Sequence, residues 1–433
     1  MKVLLLGLGR ANLSVAKYLI ERGDNLFLYE DNIEMISDYA HELIKTGNIK
    51  MYQDCDYELV ITSPGFPLDK KVIKKLETKD IPIIDEVEFT FGQLKNPKII
   101  AVTGTNGKST TASLISNILN IAGVNNFLGG NISPGKPFSQ ALFQPEFEYY
   151  VLEISSFQLM RIKEFHPGIA VITNIAIDHL NWHKDFNEYR SAKFRIFTNQ
   201  KKYDFAVLNQ EDDNVCNFVE DIRAEIVFFG FDARSGVWLN GDFCYRQEKL
   251  FRVGRPELPG RHNMMNMLAA IAVAKILNVD NKDIEKGLIT FKTLPHRLED
   301  IGVIRGIRYI NNSMCTNEDA AIASFKAVKA AKVVIVGGKQ KGDRGENYLD
   351  LLTNEAKACV ILGENVSYIA SYFKSKNFTK FAIAENMNDA IKKARAFAVP
   401  GDAILLNPGF ASFDHFTNFE ERGEAFKNAA YRN

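Results

Sequence analysis

The segment AVTGTNGKSTT, residues 101–111, carries the pattern that decides how the fold is interpreted. Its apolar run predicts a buried strand, which leads into a loop with Gly104 and Gly107 before Lys108 opens a helix-forming stretch. Glycines let backbone N–H groups turn toward a phosphate, and the beginning of a helix favours negative charge. The segment therefore predicts a phosphate-binding loop, although Val102 stands where the general pattern for such loops has its first glycine.

The polar residues of this loop favour ATP binding over a simple turn. In phosphate-binding loops the lysine contacts the β- and γ-phosphates and the next hydroxyl reaches Mg²⁺, so we assign these roles to Lys108 and Ser109. A strand-to-helix turn that uses glycine only for geometry is the alternative, but packing does not explain Lys-Ser-Thr after the second glycine. The residues predicted to bind ATP here are Gly104, Thr105, Asn106, Gly107, Lys108, Ser109 and Thr110.

Outward from this loop, short apolar runs alternate with helical patterns along the chain. The runs KVLLLG, YYVLEISS and KVVIVGG are typical of buried strands, and such alternation indicates an α/β fold with mostly parallel sheets. We predict three domains: a Rossmann-like domain at 1–95, a central P-loop ATPase domain at 96–295 and a second Rossmann-like domain at 296–433. One stretch, SGVWLNGDFCYRQEKLFRV, alternates apolar and polar residues around Asn-Gly and predicts an antiparallel hairpin.

The composition is typical of a soluble globular protein in a reducing cytoplasm. The 433 residues include 53 basic and 53 acidic side chains, a balance that argues against general binding to nucleic acids or membrane surfaces. The apolar N-terminal run is too short and too broken by glycines for a signal peptide, and no run reaches the ~20 residues that span a membrane. Five scattered cysteines without a CxxC pair fit free thiols in a reducing compartment. We expect a monomer.

Two later segments end apolar strands with residues that can bind a metal ion. Glu153 ends the run YYVLE, and His179 follows the run AVITNIA. In parallel sheets, ligands bind beyond the carboxyl ends of the strands, where the phosphate loop also lies. Either residue alone would more often be structural, but beside this loop they are candidate Mg²⁺ ligands.

Several motifs together resemble the Mur ligase family. They are GTNGKST, LEISSFQL, N-x-x-x-DHL, EYRSAK, GRHNMMN and LPHR, in the family's order and at similar spacing, and the resemblance covers the whole chain. It implies an ATP-dependent ligase of peptidoglycan synthesis that activates a UDP-linked muramoyl-alanine as an acyl-phosphate and joins it to an amino acid. The C-terminal PGFASFDHFTNFEERG is most similar to members that add D-glutamate. A related ligase that adds L-glutamate or another amino acid remains an alternative.

The resemblance also implies roles for residues that the pattern alone would not single out. Lys193, in EYRSAK, matches a lysine that carries a carbamate, whereas the helical pattern alone predicts a surface lysine. Asn263 and Asn266 match residues near the nucleotide, with Asn266 at the adenine, and Arg297 matches a residue that contacts ATP. The implied catalytic residues are Lys108, Glu153, His179 and Lys193, and the implied Mg²⁺ ligands are Ser109, Glu153, His179 and carbamylated Lys193.

The N-terminal turn GLGRANLS could hold either a dinucleotide or another nucleotide. Gly7 and Gly9 fit a dinucleotide fingerprint, but Asn12 replaces its third glycine, so the evidence for an NAD-dependent oxidoreductase is weak. A turn closed by glycines for geometry alone is another alternative. The resemblance implies binding of the UDP-linked acceptor instead, by Gly7, Gly9, Arg10, Glu30, Ser63, Pro64, Gly65, Asn131 and Ser155.

The C-terminal domain matches the family at the amino-acid site but departs from it nearby. By position, the residues implied to surround the incoming glutamate are Thr316, Lys341, Ser412 and Phe419. The family usually has an acid and a lysine where this chain has Asn312 and Met314. We expect the two charge losses to compensate each other and the Asn312 amide to bind a ribose hydroxyl. A degenerate UDP-sugar-binding protein is the alternative, against which the retained catalytic residues argue.

Overall fold

The computed structural model describes residues 1–67, 70–133, 135–180, 182–234, 236–252, 258, 260–340, 344–412 and 414–432. These described residues form three sheets, and the chain divides into two compact units. The first unit comprises Met1–Ile175, Trp182–Val253 and Met265–Ile289, and the second comprises Ala176–Asn181, Gly254–Met264 and Thr290–Asn433. The first predicted domain and most of the second therefore fall in one compact unit. Among the described residues, no helix has the length and apolarity that crossing a membrane requires.

The N-terminal sheet has five parallel strands in the order β3-β2-β1-β4-β5. The apolar run that opens the chain is its central strand, and Val3 to Leu6 are fully buried because helices cover both faces of a parallel sheet. The strands are β1 (Lys2–Leu6), β2 (Asn25–Tyr29), β3 (Ile49–Met51), β4 (Leu59–Thr62) and β5 (Ile83–Asp85). The helices are α1 (Arg10–Glu21), α2 (Asp38–Lys45), α3 (Lys71–Glu77) and α4 (Glu86–Gln93).

The central sheet has nine strands in the order β14-β13-β12-β11-β10-β9-β6-β8-β7. The strands are β6 (Ile99–Thr103), β7 (Asn126–Gly130), β8 (Tyr149–Glu153), β9 (Ile169–Ile172), β10 (Phe205–Asn209), β11 (Glu225–Gly230), β12 (Val237–Asn240), β13 (Asp242–Tyr245) and β14 (Glu248–Phe251). The strand that precedes the phosphate loop, β6, lies between β8 and β9 and parallel to both. The predicted hairpin is confirmed, because β12 and β13 pair antiparallel and β14 continues the meander.

Helices follow most strands of the central sheet. They are α5 (Lys108–Ile121), α6 (Ser156–Leu159), α7 (Phe186–Phe194), α8 (Asp213–Cys216), α9 (Arg261–Ile276) and α10 (Asn281–Ile289). The longest of them, α9, is the helix predicted from GRHNMMNMLAAIAVAKILN.

The C-terminal sheet has six strands in the order β15-β16-β20-β17-β18-β19, all parallel except the antiparallel pair β15 and β16. The strands are β15 (Glu299–Ile304), β16 (Ile307–Asn311), β17 (Lys332–Val336), β18 (Ala358–Ile361), β19 (Phe381–Ile383) and β20 (Ala403–Leu406). The helices are α11 (Glu318–Ala327), α12 (Glu346–Glu355), α13 (Val366–Ser375), α14 (Met387–Phe397) and α15 (Phe419–Arg432).

Buried polar contacts hold the N-terminal sheet against the central sheet within the first unit. The Glu88 carboxylate, on α4, accepts the backbone N–H groups of Lys163, Glu164 and Phe165 at 2.8, 2.8 and 3.0 Å. Its neighbour Glu86 accepts the backbone N–H of Ser139. Hydrogen bonds that a buried carboxylate makes are costly to break, so α4 fixes how the two sheets are placed.

Candidate active site

The phosphate loop connects β6 to α5, and its two glycines are required by conformation and by packing. Gly104 has φ +143° and Gly107 has φ +84°, both in the region that disfavours other residues. A Cβ on Gly104 would lie 2.0 Å from Thr173 Oγ1, and one on Gly107 would lie 2.2 Å from Asn266 Oδ1. Geometry therefore explains the two glycines, whereas Lys108, Ser109 and Thr110 at the beginning of α5 need another explanation.

A pair of residues after β9, which the sequence analysis did not single out, holds the loop. The Asn106 carbonyl accepts Thr173 Oγ1 at 2.6 Å and Asn174 Nδ2 at 2.9 Å, and the Asn106 N–H donates to Asn174 Oδ1 at 2.9 Å. The Thr105 N–H donates to the Asn174 carbonyl at 2.8 Å. The sequence feature that could have indicated Thr173 and Asn174 is their position at the carboxyl end of β9, the strand adjacent to β6.

Three predicted residues from separate segments meet beside the loop. The Glu153 carboxylate, at the end of β8 and 2% exposed, accepts the Ser109 hydroxyl on one oxygen and Asn131 Nδ2 on the other, the latter at 3.2 Å. The Asn131 N–H also donates to the Glu153 carbonyl at 2.8 Å. Carboxylate, hydroxyl and amide oxygens are ligands that suit Mg²⁺. Among the described residues, no group of three or more His, Cys, Asp or Glu side chains could hold a metal ion.

The two lysines assigned to catalysis both contact the phosphate loop. Lys108 is half-buried, and its Nζ donates to the Thr105 carbonyl at 2.8 Å. Lys193 is 2% exposed, and its Nζ donates to the Gly104 carbonyl at 2.6 Å. The surface position predicted for Lys193 from the helical pattern is therefore wrong.

The burial of Lys193 follows from the face of α7 that packs against the loop. Tyr189, Ala192 and Lys193 are spaced i, i+3 and i+4, share one face of the helix and are all buried. The Tyr189 hydroxyl lies 3.0 Å from Thr105 Oγ1, and its ring lies 4.6 Å from Lys193 Nζ. Tyr189 is thus a site residue that the sequence analysis missed.

Ser155 and Asn266 make structural contacts in addition to the substrate- and ATP-binding roles that the resemblance implies. Ser155 caps α6 in a reciprocal arrangement, in which its hydroxyl accepts the Gln158 N–H at 3.3 Å and Gln158 Oε1 accepts the Ser155 N–H at 2.9 Å. Asn266 is buried and accepts Thr111 Oγ1 at 3.3 Å, in the first turns of α5. The acceptor-binding role of Ser155 and the adenine-binding role of Asn266 stay predictions.

In the N-terminal sheet, the predicted acceptor-binding residues gather at the carboxyl ends of β1, β2 and β4. A Cβ on Gly7 would lie 3.2 Å from Ser63 Cβ, and one on Gly9 would lie 3.5 Å from Ser63 Oγ. Glu30 accepts the Leu8 N–H at 3.1 Å. Pro64 and Gly65 continue the turn after Ser63. Parallel sheets bind ligands at this edge.

Two polar residues of the same turn are used to hold the structure together. The Asn12 amide donates to the carbonyls of Leu6, Gly7 and Ile61 at 3.3, 2.8 and 3.2 Å. This explains asparagine in place of the third glycine, because its side chain ties the ends of β1 and β4. Arg10 donates to the carbonyls of Ile132 and Gly135 at 3.0 Å each, beside Asn131.

The second unit contains the remaining candidates. His179 has φ +54°, its N–H donates to the Asp178 carboxylate at 2.8 Å, and its ring is partly exposed. Arg297 lies in the turn before β15, where its N–H donates to the Leu294 carbonyl at 3.1 Å. Thr316 and Phe419 lie at the beginnings of α11 and α15, and Ser412 is buried after β20. Lys341 lies outside the described residues. The roles of these residues stay predictions.

Both ends of the Asn312 side chain have partners within the second unit. Its Oδ1 accepts the Leu298 N–H at 3.0 Å, and its Nδ2 donates to Asn407 Oδ1 at 2.7 Å, so both ends of the amide are used. Asn407 is held in turn, because its Nδ2 donates to the Ala321 carbonyl and to the Tyr348 hydroxyl, both at 2.9 Å. Asn407 is thus a structural partner of Asn312, and the binding of a ribose hydroxyl by the Asn312 amide stays a prediction.

We predict that Asn312→Asp destabilises the second unit by about 1–3 kcal/mol, the scale for a buried acceptor left without a donor. The new carboxylate would face Asn407 Oδ1, and turning the Asn407 amide would lose its two other bonds. Urea unfolding measures the change. Asn386→Asp is the matched control, because this exposed residue caps α14 through an oxygen that aspartate retains. Equal stability of the Asn312 variant and the control would contradict the pairing argument.

Comparison with known proteins agrees with the order of motifs and with the fold. The family model "Mur ligase middle domain" matches residues 102–274, and the model "Mur ligase, glutamate ligase domain" matches residues 296–410. The UDP-N-acetylmuramoylalanine--D-glutamate ligase of Pelotomaculum thermopropionicum is 36% identical over 441 residues, which are 98% of this chain and 96% of the relative. The ligase of the same name from Clostridioides difficile is 35% identical over 99% of this chain and 97% of its own length.

A solved structure shares the fold over the full length. The UDP-N-acetylmuramate-alanine ligase of Thermotoga maritima is similar with a TM-score of 0.67 and 19% identity, covering 100% of this chain and 99% of the other. At this identity the similarity concerns the arrangement of sheets and helices alone. The predicted α/β fold with mostly parallel sheets is thereby confirmed.

Proposed function

The chain belongs to the Mur ligase family, and we propose that it joins D-glutamate to UDP-N-acetylmuramoyl-L-alanine while ATP is converted to ADP and phosphate. The reaction belongs to peptidoglycan precursor synthesis. The observation that carries the proposal is the meeting of Ser109, Glu153 and Asn131 beside the loop of Lys108. Use of the N-terminal turn for NAD is disfavoured, because the Asn12 side chain occupies the position of the third glycine.

The chemistry explains why ATP is needed. A free carboxylate does not form an amide in water because hydroxide is a poor leaving group. Transfer of the γ-phosphoryl group of ATP to the acceptor carboxylate gives an acyl-phosphate, and the glutamate amine then displaces phosphate. Lys108 neutralises charge on the phosphoryl group during transfer, and the beginning of α5 favours the negative phosphates. No side chain has to act as a nucleophile.

The ligands beside the loop fit Mg²⁺. This ion takes oxygen ligands and is usually held by one or two carboxylates together with substrate phosphates, not by a cage of protein side chains. The buried Glu153 carboxylate and the Ser109 hydroxyl supply such a partial set, and we assign His179 as a further ligand. When bound, the ion supplies charge neutralisation to the phosphates.

Lys193 is proposed to carry a carbamate, formed when its amine adds to CO₂ with loss of a proton. Its Nζ is buried 2.6 Å from the Gly104 carbonyl, so a carboxylate on this atom would be placed at the phosphate loop. Such a group would provide a carboxylate ligand for a second Mg²⁺ and help to bind the acceptor. Glutamate is assigned to the segments of Thr316, Lys341, Ser412 and Phe419 in the second unit.

We predict that phosphate release requires ATP, Mg²⁺, UDP-N-acetylmuramoyl-L-alanine and D-glutamate together. The positive charge at the phosphate loop can activate only an acceptor carboxylate that is bound next to it. Omission of any one component should therefore reduce phosphate release to the rate seen without enzyme. The measurement is a phosphate assay with a panel of D- and L-amino acids. Equal ATP hydrolysis without the acceptor would contradict a ligase, and preference for L-glutamate would correct the amino acid.

The location of the reaction follows from its substrates. ATP and a UDP-linked acceptor are small molecules of the cytoplasm, and the five cysteines are all free thiols in the structure. We therefore place the enzyme in the cytoplasm.

A further inference from the structure

A buried arginine connects the segments that carry the proposed amino-acid site. Arg422, in the first turns of α15, is 3% exposed. Its Nε donates to Ser313 Oγ at 3.0 Å and its Nη2 to the Ser313 carbonyl at 2.8 Å. Its Nη1 donates to the carbonyls of Phe410 and Ala411 at 3.1 and 3.2 Å. One planar guanidinium thus fixes two loops that are about 100 residues apart in sequence.

The bonded residues are neighbours of the residues assigned to glutamate. Ser313 precedes Thr316 in the segment after β16, and Ala411 immediately precedes Ser412. The Ser313 hydroxyl also donates to the Phe419 carbonyl at 2.7 Å. Of the assigned residues, Phe419 is thus hydrogen-bonded to Ser313, and Thr316 and Ser412 lie within three residues of a group that the guanidinium holds.

A fourth segment is tied to the same place. Ala411 and Lys339, in the loop after β17, exchange two backbone hydrogen bonds of 2.8 and 3.0 Å. Gly338 makes room for this arrangement, because a Cβ there would lie 2.2 Å from the Ala411 carbonyl and 3.2 Å from Arg422 Nη1. The loop after β17 is therefore packed against the guanidinium.

The charge of Arg422 matters as well as its shape. All four hydrogen bonds go to uncharged oxygens, of which three are carbonyls and one is a hydroxyl. Burial lowers the pKa of the guanidinium to about 10, which leaves it protonated at neutral pH. A cleft lined by Arg422, Gly337, Gly338 and Asp414 opens at the carboxyl ends of β17 and β20. The guanidinium thus lies beside a space that the Asp414 carboxylate also lines, at the edge where parallel sheets bind ligands.

We propose that Arg422 is a positioning residue that holds the amino-acid site in shape and thereby sets its affinity for a dicarboxylic amino acid. The inference rests on the proposed function, since it needs glutamate as the second substrate. A lysine at this position would keep the charge but would lack the fork that reaches Ser313 and Phe410 together.

The test is the KM of each substrate for Arg422→Lys, measured separately for D-glutamate, ATP and the acceptor. We expect the KM for D-glutamate to rise about 10- to 100-fold, the scale of one or two hydrogen bonds from a charged group, while the other two KM values change less than about twofold. Arg395→Lys is the matched control. Its guanidinium also bonds neutral oxygens in the same unit, the Tyr309 hydroxyl and the Ala430 carbonyl, away from these loops.

Each outcome decides between the two proposals. Ser313→Ala removes the two hydrogen bonds of the Ser313 hydroxyl, with Arg422 Nε and the Phe419 carbonyl, and keeps the other three bonds of the guanidinium. It should raise the KM for D-glutamate several-fold and replaces Arg422→Lys if that variant does not fold. An unchanged KM for D-glutamate, or equal rises in all three KM values, in the folded variant would overturn the positioning role. A wild-type protein that consumes no glutamate would instead overturn the proposed function.

Discussion

Replacement of Lys108 by alanine should lower kcat by at least ~10³, the scale for loss of a main charge in phosphoryl transfer. Lys108 is the first residue of α5, and its side chain reaches over the loop to the Thr105 carbonyl at 2.8 Å. That hydrogen bond is not what shapes the loop, because Thr173 and Asn174 hold Asn106 independently. The variant should therefore fold and still bind the acceptor, yet transfer the phosphoryl group slowly.

The matched control for this prediction is Lys98→Ala. Lys98 is an exposed lysine immediately before β6, at the opposite end of the strand from the phosphate loop. Its loss should leave kcat within about twofold, as is usual for a surface substitution. Near-normal turnover of the Lys108 variant, with its fold verified by thermal unfolding, would show that the loop is not the site of phosphoryl transfer.

Lys193→Ala should be almost inactive, and short carboxylic acids such as formate or acetate should restore part of the activity. The buried Nζ of Lys193 touches the phosphate loop at Gly104, so truncation leaves a small space where a free carboxylate can replace the lost carbamate. The initial rate of phosphate release, with and without added acid, measures the effect. If Lys193 were needed only for its hydrogen bond to the Gly104 carbonyl, carboxylic acids would not restore activity, because a carboxylate anion cannot donate that hydrogen bond.

Two controls separate the carbamate from a structural role of Lys193. Lys275→Ala removes another largely buried lysine, whose Nζ donates to Asn281 Oδ1 at 3.0 Å, and carboxylic acids should not change its activity. Lys193→Arg keeps a cation that can bond the Gly104 carbonyl but cannot carry a carbamate, and it should be inactive. An active, liganded enzyme whose crystal structure or intact mass shows unmodified Lys193 would refute the carbamate.

The sequence was sufficient to predict the secondary-structure elements and motifs whose pattern lies within one short segment. Each apolar run that we took as a buried strand forms one, and the Asn-Gly stretch forms the predicted hairpin. The phosphate loop was also predictable, because its whole pattern lies within the eleven residues 101–111. The glycine spacing indicates the backbone conformation of the loop, and the Lys-Ser pair indicates a phosphate ligand. The contact between Glu153 and Ser109 could be predicted because the carboxyl ends of parallel strands lie at the same edge of a sheet.

Contacts between distant segments could not be predicted in the same way. Lys193 lies on a helix of modest amphipathicity, and only the packing of Tyr189 and Ala192 shows that its face is buried. Asn12, Asn407 and Arg422 each bond groups from other strands or loops, and no spacing within their own segments indicates these partners. The charge compensation expected between Asn312 and Met314 stays a prediction.

The most direct test of the central claim follows an oxygen atom from the acceptor to phosphate. The acceptor is prepared with ¹⁸O in its terminal carboxylate, and the released phosphate is analysed by mass spectrometry after reaction with ATP and D-glutamate. Activation as an acyl-phosphate, with displacement by the amine at carbon, predicts one ¹⁸O in the phosphate for each amide formed. Amide product accompanied by unlabelled phosphate would contradict the mechanism, because the acceptor carboxylate would then never have been phosphorylated.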